Sequence, residues 1–235
     1  MKTIGLIGGM SWESTVPYYQ TINRAVSKRL GGLHSAKVAL YSVDFDDIEK
    51  LQHAAKWEES GEILADAARA VRRAGADFIV LCTNTMHKVA PQIEAAVDIP
   101  LLHIADATAE RVKAAGVSRV GLLGTRFTME EDFYRGRLES RHGLSVLTPP
   151  AKERAVVHGV IYSELCLGKV ADGSRAAFRQ VVDGLVARGA EGVILGCTEI
   201  GLLLRAGDAP VPLFDTATIH AEAAAEFALG ESSRV

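Results

Sequence analysis

The stretch Gly75-Ala76-Asp77-Phe78-Ile79-Val80-Leu81 decides the fold, because its pattern returns 114 residues later as Gly189-Ala190-Glu191-Gly192-Val193-Ile194-Leu195. In each copy a glycine and an acidic residue precede a short apolar run, which is typical of a buried parallel strand. The helix-like segment before each copy aligns at the same offset. Its apolar positions are Leu64, Ala67, Ala68 and Val71 in the first copy and Phe178, Val181, Val182 and Leu185 in the second.

Two further pairs of segments repeat in the same order, which indicates a duplication. Gly5-Leu6-Ile7-Gly8 matches Gly121-Leu122-Leu123-Gly124 at an offset of 116, and Ile99-Pro100-Leu101 matches Val211-Pro212-Leu213 at 112. Short apolar runs alternate with amphipathic segments, as in repeated βα units. The predicted strands are Thr3–Ile7, Val38–Ser42, Phe78–Leu81, Leu101–Ile104, Val120–Leu123, Leu144–Leu147, Val193–Leu195 and Val211–Phe214.

The sequence therefore predicts an α/β fold of two pseudo-symmetric lobes, each a mostly parallel sheet flanked by helices. The first lobe spans 1–105 and also includes the C-terminal segment 216–235. This segment is predicted to form a helix over Ile219–Leu229, followed by a frayed tail. The second lobe spans 106–215. Ligands of open α/β sheets bind beyond the carboxyl ends of the strands. Two similar lobes can direct these ends at one cleft, where we expect the active site.

The composition excludes several classes of protein. With 48% hydrophobic and 23% charged residues, the 235-residue chain has the balance of a folded protein rather than a disordered one. The net charge is −3, and no basic excess or basic tract suggests binding to nucleic acid or a membrane surface. No apolar run reaches the roughly 20 residues of a membrane helix. The apolar start Thr3–Ile7 is too short for a signal peptide, so we expect a cytoplasmic protein.

No pattern for a metal or an organic cofactor is present, and we expect neither. The three cysteines, Cys82, Cys166 and Cys197, are odd in number and far apart, which argues against disulfides and a metal site. The glycines of Gly5–Ser11 do not form GxGxxG, and no GKS or GKT phosphate loop occurs. The acidic run Asp44–Glu49 is predicted as a capped helix start. Cys166 is predicted to lie in the core, and supporting roles are predicted for His87, His103, His158 and His220.

The residues that follow the two repeated strands carry the candidate chemistry. Cys82-Thr83-Asn84-Thr85 follows the first strand, and Gly196-Cys197-Thr198-Glu199 follows the second. Each places thiol, hydroxyl and polar groups where a strand meets a helix, whose free N–H groups attract a carboxylate. The same environment is expected to lower a thiol pKa toward neutrality. A reactive thiol beside a carboxylate site suggests chemistry on a small acid.

These motifs resemble the signatures of the aspartate/glutamate racemase superfamily, with Ile79–His87 matching the first and Val193–Leu203 the second. The resemblance covers the whole chain, including Ile7–Ser11 and Leu123–Arg126, and points to the subgroup of broad-specificity amino-acid racemases related to aspartate racemase. It implies a homodimeric racemase of a small amino acid that works without pyridoxal phosphate.

The resemblance also implies one acid/base residue from each lobe, on opposite faces of the substrate α-carbon. Cys197 is the second-lobe residue. Superfamily members have cysteine directly before Asn-Thr, where this chain has Thr83, and Cys82 lies one residue earlier. Adjacent side chains of a strand point to opposite faces, so only one of Thr83 and Cys82 faces the site. The residues expected to bind substrate are Met10, Gln52, Asn84, Thr85, Thr125, Thr198 and Glu199.

Three hypotheses remain open at this point. The first is a racemase of aspartate, glutamate or a broader set of amino acids. The second is a one-thiol decarboxylase or maleate-type isomerase of the same superfamily, and the third is a non-catalytic protein that binds small carboxylates. A basic residue contacting a second carboxylate would mark an acidic substrate, and the candidates are Lys88, Arg126 and Lys169.

Overall fold

A computed structural model describes residues 1–230, so the predicted tail 231–235 lies outside the described residues. The chain divides into two compact units. The first unit contains Met1–His103 and the described residues from His220 onward, and the second contains Ile104–Ile219. Within the described residues no helix is long and apolar enough to cross a membrane.

The first unit is built on a parallel sheet. Its strands are β1 (Ile4–Gly8), β2 (Val38–Ser42), β3 (Phe78–Leu81) and β4 (Leu101–Leu102), in the order β2-β1-β3-β4. Its helices are α1 (Trp12–Leu30), α2 (Phe45–His53), α3 (Trp57–Arg73) and α4 (Ala90–Ala95), with a 3-10 turn at Thr85–Val89. The central strands β1 and β3 are buried along their whole length, which explains why their sequences are continuous apolar runs.

The second unit repeats this topology. Its strands are β5 (Arg119–Gly124), β6 (Ser145–Leu147), β7 (Gly192–Gly196) and β8 (Leu213–Asp215), in the parallel order β6-β5-β7-β8. Its helices are α5 (Ile104–Ala114), α6 (Arg126–Glu130), α7 (Arg135–His142), α8 (Ala151–Ser163), α9 (Asp172–Ala187) and α10 (Ile200–Leu203), with a 3-10 turn at Leu165–Leu167. Helix α11 (Thr216–Leu229) begins in this unit and passes into the first.

The repeated helix and strand pack together in each unit as the sequence predicts. In the first unit the apolar face of α3 shares one core cluster with Ile79 and Leu81 of β3. In the second unit the equivalent face of α9 shares a cluster with Val193 and Leu195 of β7. The α/β fold with two similar parallel sheets is thereby confirmed.

The two copies also share a left-handed glycine and a hydrogen bond from a backbone N–H to an acidic side chain. Gly75 and Gly189 both have φ of +92°, a left-handed conformation that favours glycine. The carboxylate of Asp77 accepts the backbone N–H of Thr3 at 2.6 Å, and that of Glu191 accepts the N–H of Arg119 at 3.0 Å. Each acidic residue therefore ties the start of its own strand to the start of the neighbouring central strand.

The ends of several elements differ from the predictions. Strand β4 stops at Leu102, two residues early, and the terminal helix begins at Thr216 instead of Ile219. Cys166 is only partly buried, although it packs against the core. The acidic run does start a capped helix, as predicted, because the side chain of Asp44 accepts the N–H of Asp46 at 3.1 Å.

Candidate active site

The strand registers place Thr83 and Cys197 at equivalent positions of the two sheets. Ile7 of β1 pairs with Leu81 of β3, and Leu123 of β5 pairs with Leu195 of β7. The second residue after each of these leucines is Thr83 in the first unit and Cys197 in the second. Their exposed fractions are also similar, 6% and 7%. The structure therefore gives the hydroxyl and the thiol matching places within their own units.

Cys82 faces a different environment from Thr83. It is 0% exposed, and its thiol donates to the carbonyl oxygen of Val80 at 3.7 Å. Burial raises the pKa of the Cys82 thiol far above its ordinary value. A fully buried thiol whose hydrogen bond goes to a backbone carbonyl, which cannot take its proton, is poorly suited to proton exchange with a substrate.

The position equivalent to Cys82 in the second unit is Gly196, and there only glycine fits. A Cβ atom at Gly196 would lie 2.8 Å from the Leu122 side chain and 2.8 Å from the Leu123 carbonyl oxygen. The close approach of β5 thus leaves no room for a side chain at the position before Cys197. The two motifs share a register but not the residue that precedes the acid/base position.

Cys197 is bound to the carboxylate of Glu199. Its Sγ donates to Glu199 Oε2 at 3.0 Å, and the hydroxyl of Thr198 donates to the same oxygen at 2.8 Å. Glu199 is 2% exposed, so this carboxylate lies against the motif itself. The carboxylate that we predicted as a substrate ligand is therefore also the hydrogen-bond acceptor of the thiol.

The expected lowering of the thiol pKa is wrong for Cys197. Burial and then the negative charge of Glu199 raise its pKa well above the ordinary value. The helix that follows, α10, has only four residues, and the 3-10 turn after Thr83 has five. Such short segments supply little dipole field. The backbone N–H of Glu199 lowers the pKa of Cys197, but burial and the neighbouring carboxylate outweigh it.

The first unit contains four of the predicted substrate residues, two within its motif and two from other segments. Asn84 and Thr85 are buried directly after Thr83. Gln52 of α2 donates from Nε2 to the sulfur of Met86 at 3.0 Å, and Met10 shares a core cluster with Met86. The structure thus brings Met10 and Gln52 to the 83–87 segment.

The turn after β1 is shaped by Gly9 and Thr15. Gly9 has φ of +92°, and a Cβ there would lie 2.2 Å from the Val43 carbonyl oxygen. Its N–H donates to Thr15 Oγ1 at 2.9 Å, and that hydroxyl donates to the Ser11 carbonyl oxygen at 2.9 Å. Thr15 was not among the predicted residues, although it holds the loop that carries Met10.

Thr125 and Arg126 directly follow the end of β5, and two further predicted residues, Lys88 and Lys169, lie elsewhere in the chain. Thr125 is buried and caps helix α6, where its hydroxyl accepts the N–H of Thr128 at 3.3 Å. Arg126 follows it and is exposed. Lys169 is also exposed, whereas Lys88 is half-buried with its ammonium 3.9 Å from the ring of Trp57. Among the described residues, no group of three His, Cys, Asp or Glu side chains could hold a metal ion.

The comparison with known proteins defines the class. The Asp/Glu/Hydantoin racemase family matches residues 7–224, and the chain belongs to this family. A candidate Asp/Glu racemase from Yersinia pestis has a crystal structure with 58% identity and a TM-score of 0.90, over 97% of this chain and all of that one. The structure of an aspartate racemase homologue from Pyrococcus horikoshii OT3 has 37% identity and a TM-score of 0.82, with 97% and 100% coverage.

A curated relative supports the same assignment. The chain is 22% identical to the broad specificity amino-acid racemase RacX of Bacillus subtilis (strain 168) over 232 residues, which are 93% of this chain and 95% of the relative. The protein is therefore an isomerase of the racemase class. The resemblance to the superfamily and to its broad-specificity subgroup is confirmed.

Proposed function

We propose that the protein is a cofactor-independent amino-acid racemase in which Cys197 is the main base and Thr83 is the acid/base of the opposite face. The observation that carries the proposal is the shared strand register of these two residues, each slightly exposed at the end of an equivalent strand. Cys82 is the less suitable first-unit group, because its thiol is fully buried and donates to a backbone carbonyl.

The reaction moves one proton off the α-carbon and another onto it. When the L-enantiomer binds, the Cys197 thiolate takes the α-proton and becomes a thiol, and the carbanion accepts a proton from the Thr83 hydroxyl on the other face. The assignment of Cys197 to the L-enantiomer follows the resemblance to the superfamily. A threonine hydroxyl is a very weak acid, so this second transfer is expected to be the slow one.

Glu199 supplies the acceptor that Cys197 needs. The thiol is protonated in the resting protein because its pKa is raised, and its proton points at Glu199 Oε2. Transfer of this proton to the carboxylate leaves a thiolate and a neutral carboxyl group, with no change in total charge. Proton exchange between Cys197 and solvent then passes through Glu199.

The developing negative charge requires donors at the substrate carboxylate. Asn84, Thr85 and Thr198 follow the two proposed acid/base positions, and all three are nearly buried. Donors that strengthen their hydrogen bonds as charge develops stabilise the transition state more than the bound substrate. We assign the side chains of Asn84 and Thr85 and the backbone N–H of Thr198 to the substrate α-carboxylate, because the Thr198 hydroxyl already donates its hydrogen to Glu199. Met10, Gln52 and Thr125 are proposed as further substrate-binding residues.

The substrate is a small amino acid, either aspartate or glutamate or a broader set. The names of the relatives support both possibilities, since one is a broad specificity amino-acid racemase and another an aspartate racemase homologue. We further propose, from the resemblance to the superfamily, a homodimer that acts in the cytoplasm, and light scattering of the purified protein would test the dimer.

A panel of L-amino acids in D₂O tests the proposal. The protein is first dialysed against EDTA and treated with hydroxylamine, which removes metals and pyridoxal phosphate. We expect exchange of the α-hydrogen and formation of the D-enantiomer with at least one substrate. Activity restored only by pyridoxal phosphate would contradict the cofactor-free mechanism. A substituted malonate and maleate are tested beside the amino acids. Release of CO₂ from the malonate or conversion of maleate to fumarate, without racemisation of any amino acid, would instead favour a decarboxylase or maleate-type isomerase.

A further inference from the structure

A buried cluster of three imidazoles lies beside the Thr83–Asn84 peptide in the first unit. The ring of His87 lies 4.4 Å from that of His103 and 6.0 Å from that of His220, between centroids. Their exposed fractions are 2%, 6% and 0%. The proposed reaction uses none of them, and one of them, His87, contacts Thr83.

The ring of His220 is fixed by two hydrogen bonds. Its Nε2 lies 2.8 Å from the carbonyl oxygen of Leu102, which can only accept, so Nε2 carries the hydrogen. Its Nδ1 therefore accepts a hydrogen bond from the hydroxyl of Tyr18, which lies 2.9 Å away. Burial lowers the pKa of His220 to about 4, which keeps this ring neutral near pH 7. Neither contact of this ring reaches Thr83.

His87 contacts Thr83 directly through the backbone. Its Nδ1 lies 2.7 Å from the Thr83 carbonyl oxygen, so Nδ1 carries a hydrogen and donates. The backbone N–H of the same residue donates to the Asn84 carbonyl oxygen at 3.1 Å. His87 thus donates hydrogen bonds to the carbonyl oxygens of two successive residues, Thr83 and Asn84.

We propose that His87 is a positioning residue for the Thr83 half of the reaction, in which its Nδ1–H fixes the peptide between Thr83 and Asn84. This inference rests on the proposed function, since it assumes that Thr83 exchanges the α-proton. A weak acid such as a threonine hydroxyl depends strongly on alignment, because a misplacement of about 1 Å can cost about 10²-fold in rate. A hydrogen bond to the Thr83 carbonyl also makes the N–H of the same peptide, that of Asn84, a stronger donor.

The second unit has no equivalent of this imidazole. The position 114 residues after His87 is Gly201, and the motif there is held by Glu199 through the side chains of Cys197 and Thr198. The effect of His87 should therefore be confined to the proton transfer that Thr83 performs. A purely structural role would instead affect both proton transfers in proportion to the folded fraction.

The test compares His87→Asn with His87→Leu. The amide of asparagine can donate from nearly the place of Nδ1, whereas leucine fills similar space without a donor. Tyr18→Phe is the matched control, since it removes a hydrogen bond from the same cluster without touching Thr83. For each variant, loss of the α-hydrogen is followed in D₂O separately from saturating L-substrate and saturating D-substrate. The backbone carbonyl ¹³C shift of Thr83 and the amide shift of Asn84 are measured as well.

In His87→Leu we expect exchange from the D-enantiomer to fall by about tenfold or more. Exchange from the L-enantiomer should stay within about threefold, because Cys197 is untouched, and His87→Asn should recover most of the loss. Tyr18→Phe should lower Tm without changing the ratio of the two rates. The Thr83 carbonyl shift should move in His87→Leu and stay near the original value in His87→Asn.

Three results would overturn the inference: equal losses in both exchange rates, the same change of ratio in Tyr18→Phe, or an asparagine variant as impaired as the leucine variant. If the unmodified protein exchanges no α-hydrogen from any amino acid, the proposed function fails. The carbonyl and amide shifts then decide by themselves whether His87 holds the Thr83–Asn84 peptide.

Discussion

The two strand-end motifs occupy the same register of sheets with the same strand order, yet they are held in different ways. In the first unit an imidazole, that of His87, binds the backbone carbonyl of Thr83. In the second unit a carboxylate, that of Glu199, binds the side chains of Cys197 and Thr198. The duplicated fold supplies matching positions, and the local partners decide what each position can do.

The difference in partners matches the difference in chemistry. In the proposed mechanism Glu199 takes a proton from Cys197, so that the second motif forms a thiolate. His87 contacts the Thr83 backbone and leaves the hydroxyl as the donor of the first motif. The protein is therefore expected to have one strong and one weak proton carrier, and substitutions at these residues test this inequality.

The largest effect is expected from Cys197→Ser. A serine hydroxyl is almost never ionised near neutral pH, so both racemisation and exchange from the L-enantiomer should fall by about 10³-fold or more. Cys82→Ser is the matched control and should keep most of the activity. Comparable losses in the two variants would remove the distinction between the fully buried and the slightly exposed thiol.

Asn84→Ala should lower kcat/KM by about 10²-fold, which corresponds to about 3 kcal/mol for a lost donor at the developing charge. Thr198→Ala should cost less, about tenfold, because the Thr198 hydroxyl already donates to Glu199. Steady-state kinetics with both enantiomers would check this order. An Asn84→Ala protein with unchanged kcat/KM would show that Asn84 does not hold the carboxylate.

Acid should destabilise the first unit through His220. In the unfolded chain an imidazole binds a proton below about pH 6.5, whereas burial lowers the folded-state pKa of His220 to about 4. The unfolded state binds more protons between these values, so the free energy of unfolding falls as pH drops through this window. The loss amounts to about 3 kcal/mol in total.

Urea unfolding followed by tryptophan fluorescence at pH 7 and pH 4.5 measures this loss where it is expected, since Trp12 and Trp57 both lie in the first unit. His220→Gln keeps a donor toward Leu102 without a titrating group, and its unfolding should depend less on pH. An equal pH dependence in the variant would mean that another group is responsible.

Thr83→Cys should raise racemisation by about tenfold, because a thiol is a far better proton carrier than a threonine hydroxyl. Cys82→Ser and Thr83→Ala together test the register behind this prediction. If Cys82→Ser is inactive while Thr83→Ala is active, the first-unit acid/base is Cys82 and the assignment to Thr83 is wrong.

The smallest effect concerns the resting state of the thiol. The negative charge of Glu199 contributes to the raised pKa of Cys197, so Glu199→Gln should lower the pH at which Cys197 reacts with iodoacetamide. The measurement uses a Cys82→Ser and Cys166→Ser background, so that only Cys197 reacts. A shift in the opposite direction would show that the carboxylate stabilises the thiolate.

Much of this comparison was available from the sequence, because a duplicated pattern places equivalent residues at the ends of equivalent strands. The offset of 114 residues between the two copies aligns Thr83 with Cys197 from the sequence alone. The partners of these residues were not predictable, since the hydrogen bond of His87 to a carbonyl and the return of Glu199 onto Cys197 depend on side-chain conformations. For the same reason the direction of the Cys197 pKa was predicted wrongly.

The central claim of two unequal proton carriers is tested most directly by deuterium incorporation from D₂O during conversion of the L-enantiomer. Racemisation has an equilibrium constant of one, so kcat/KM must be equal in both directions and cannot reveal the inequality. If Cys197 trades its proton with solvent through Glu199 while Thr83 is slow, the remaining L-substrate gains deuterium faster than the D-product appears. D-product appearing as fast as, or faster than, deuterium enters the L-substrate would contradict the account.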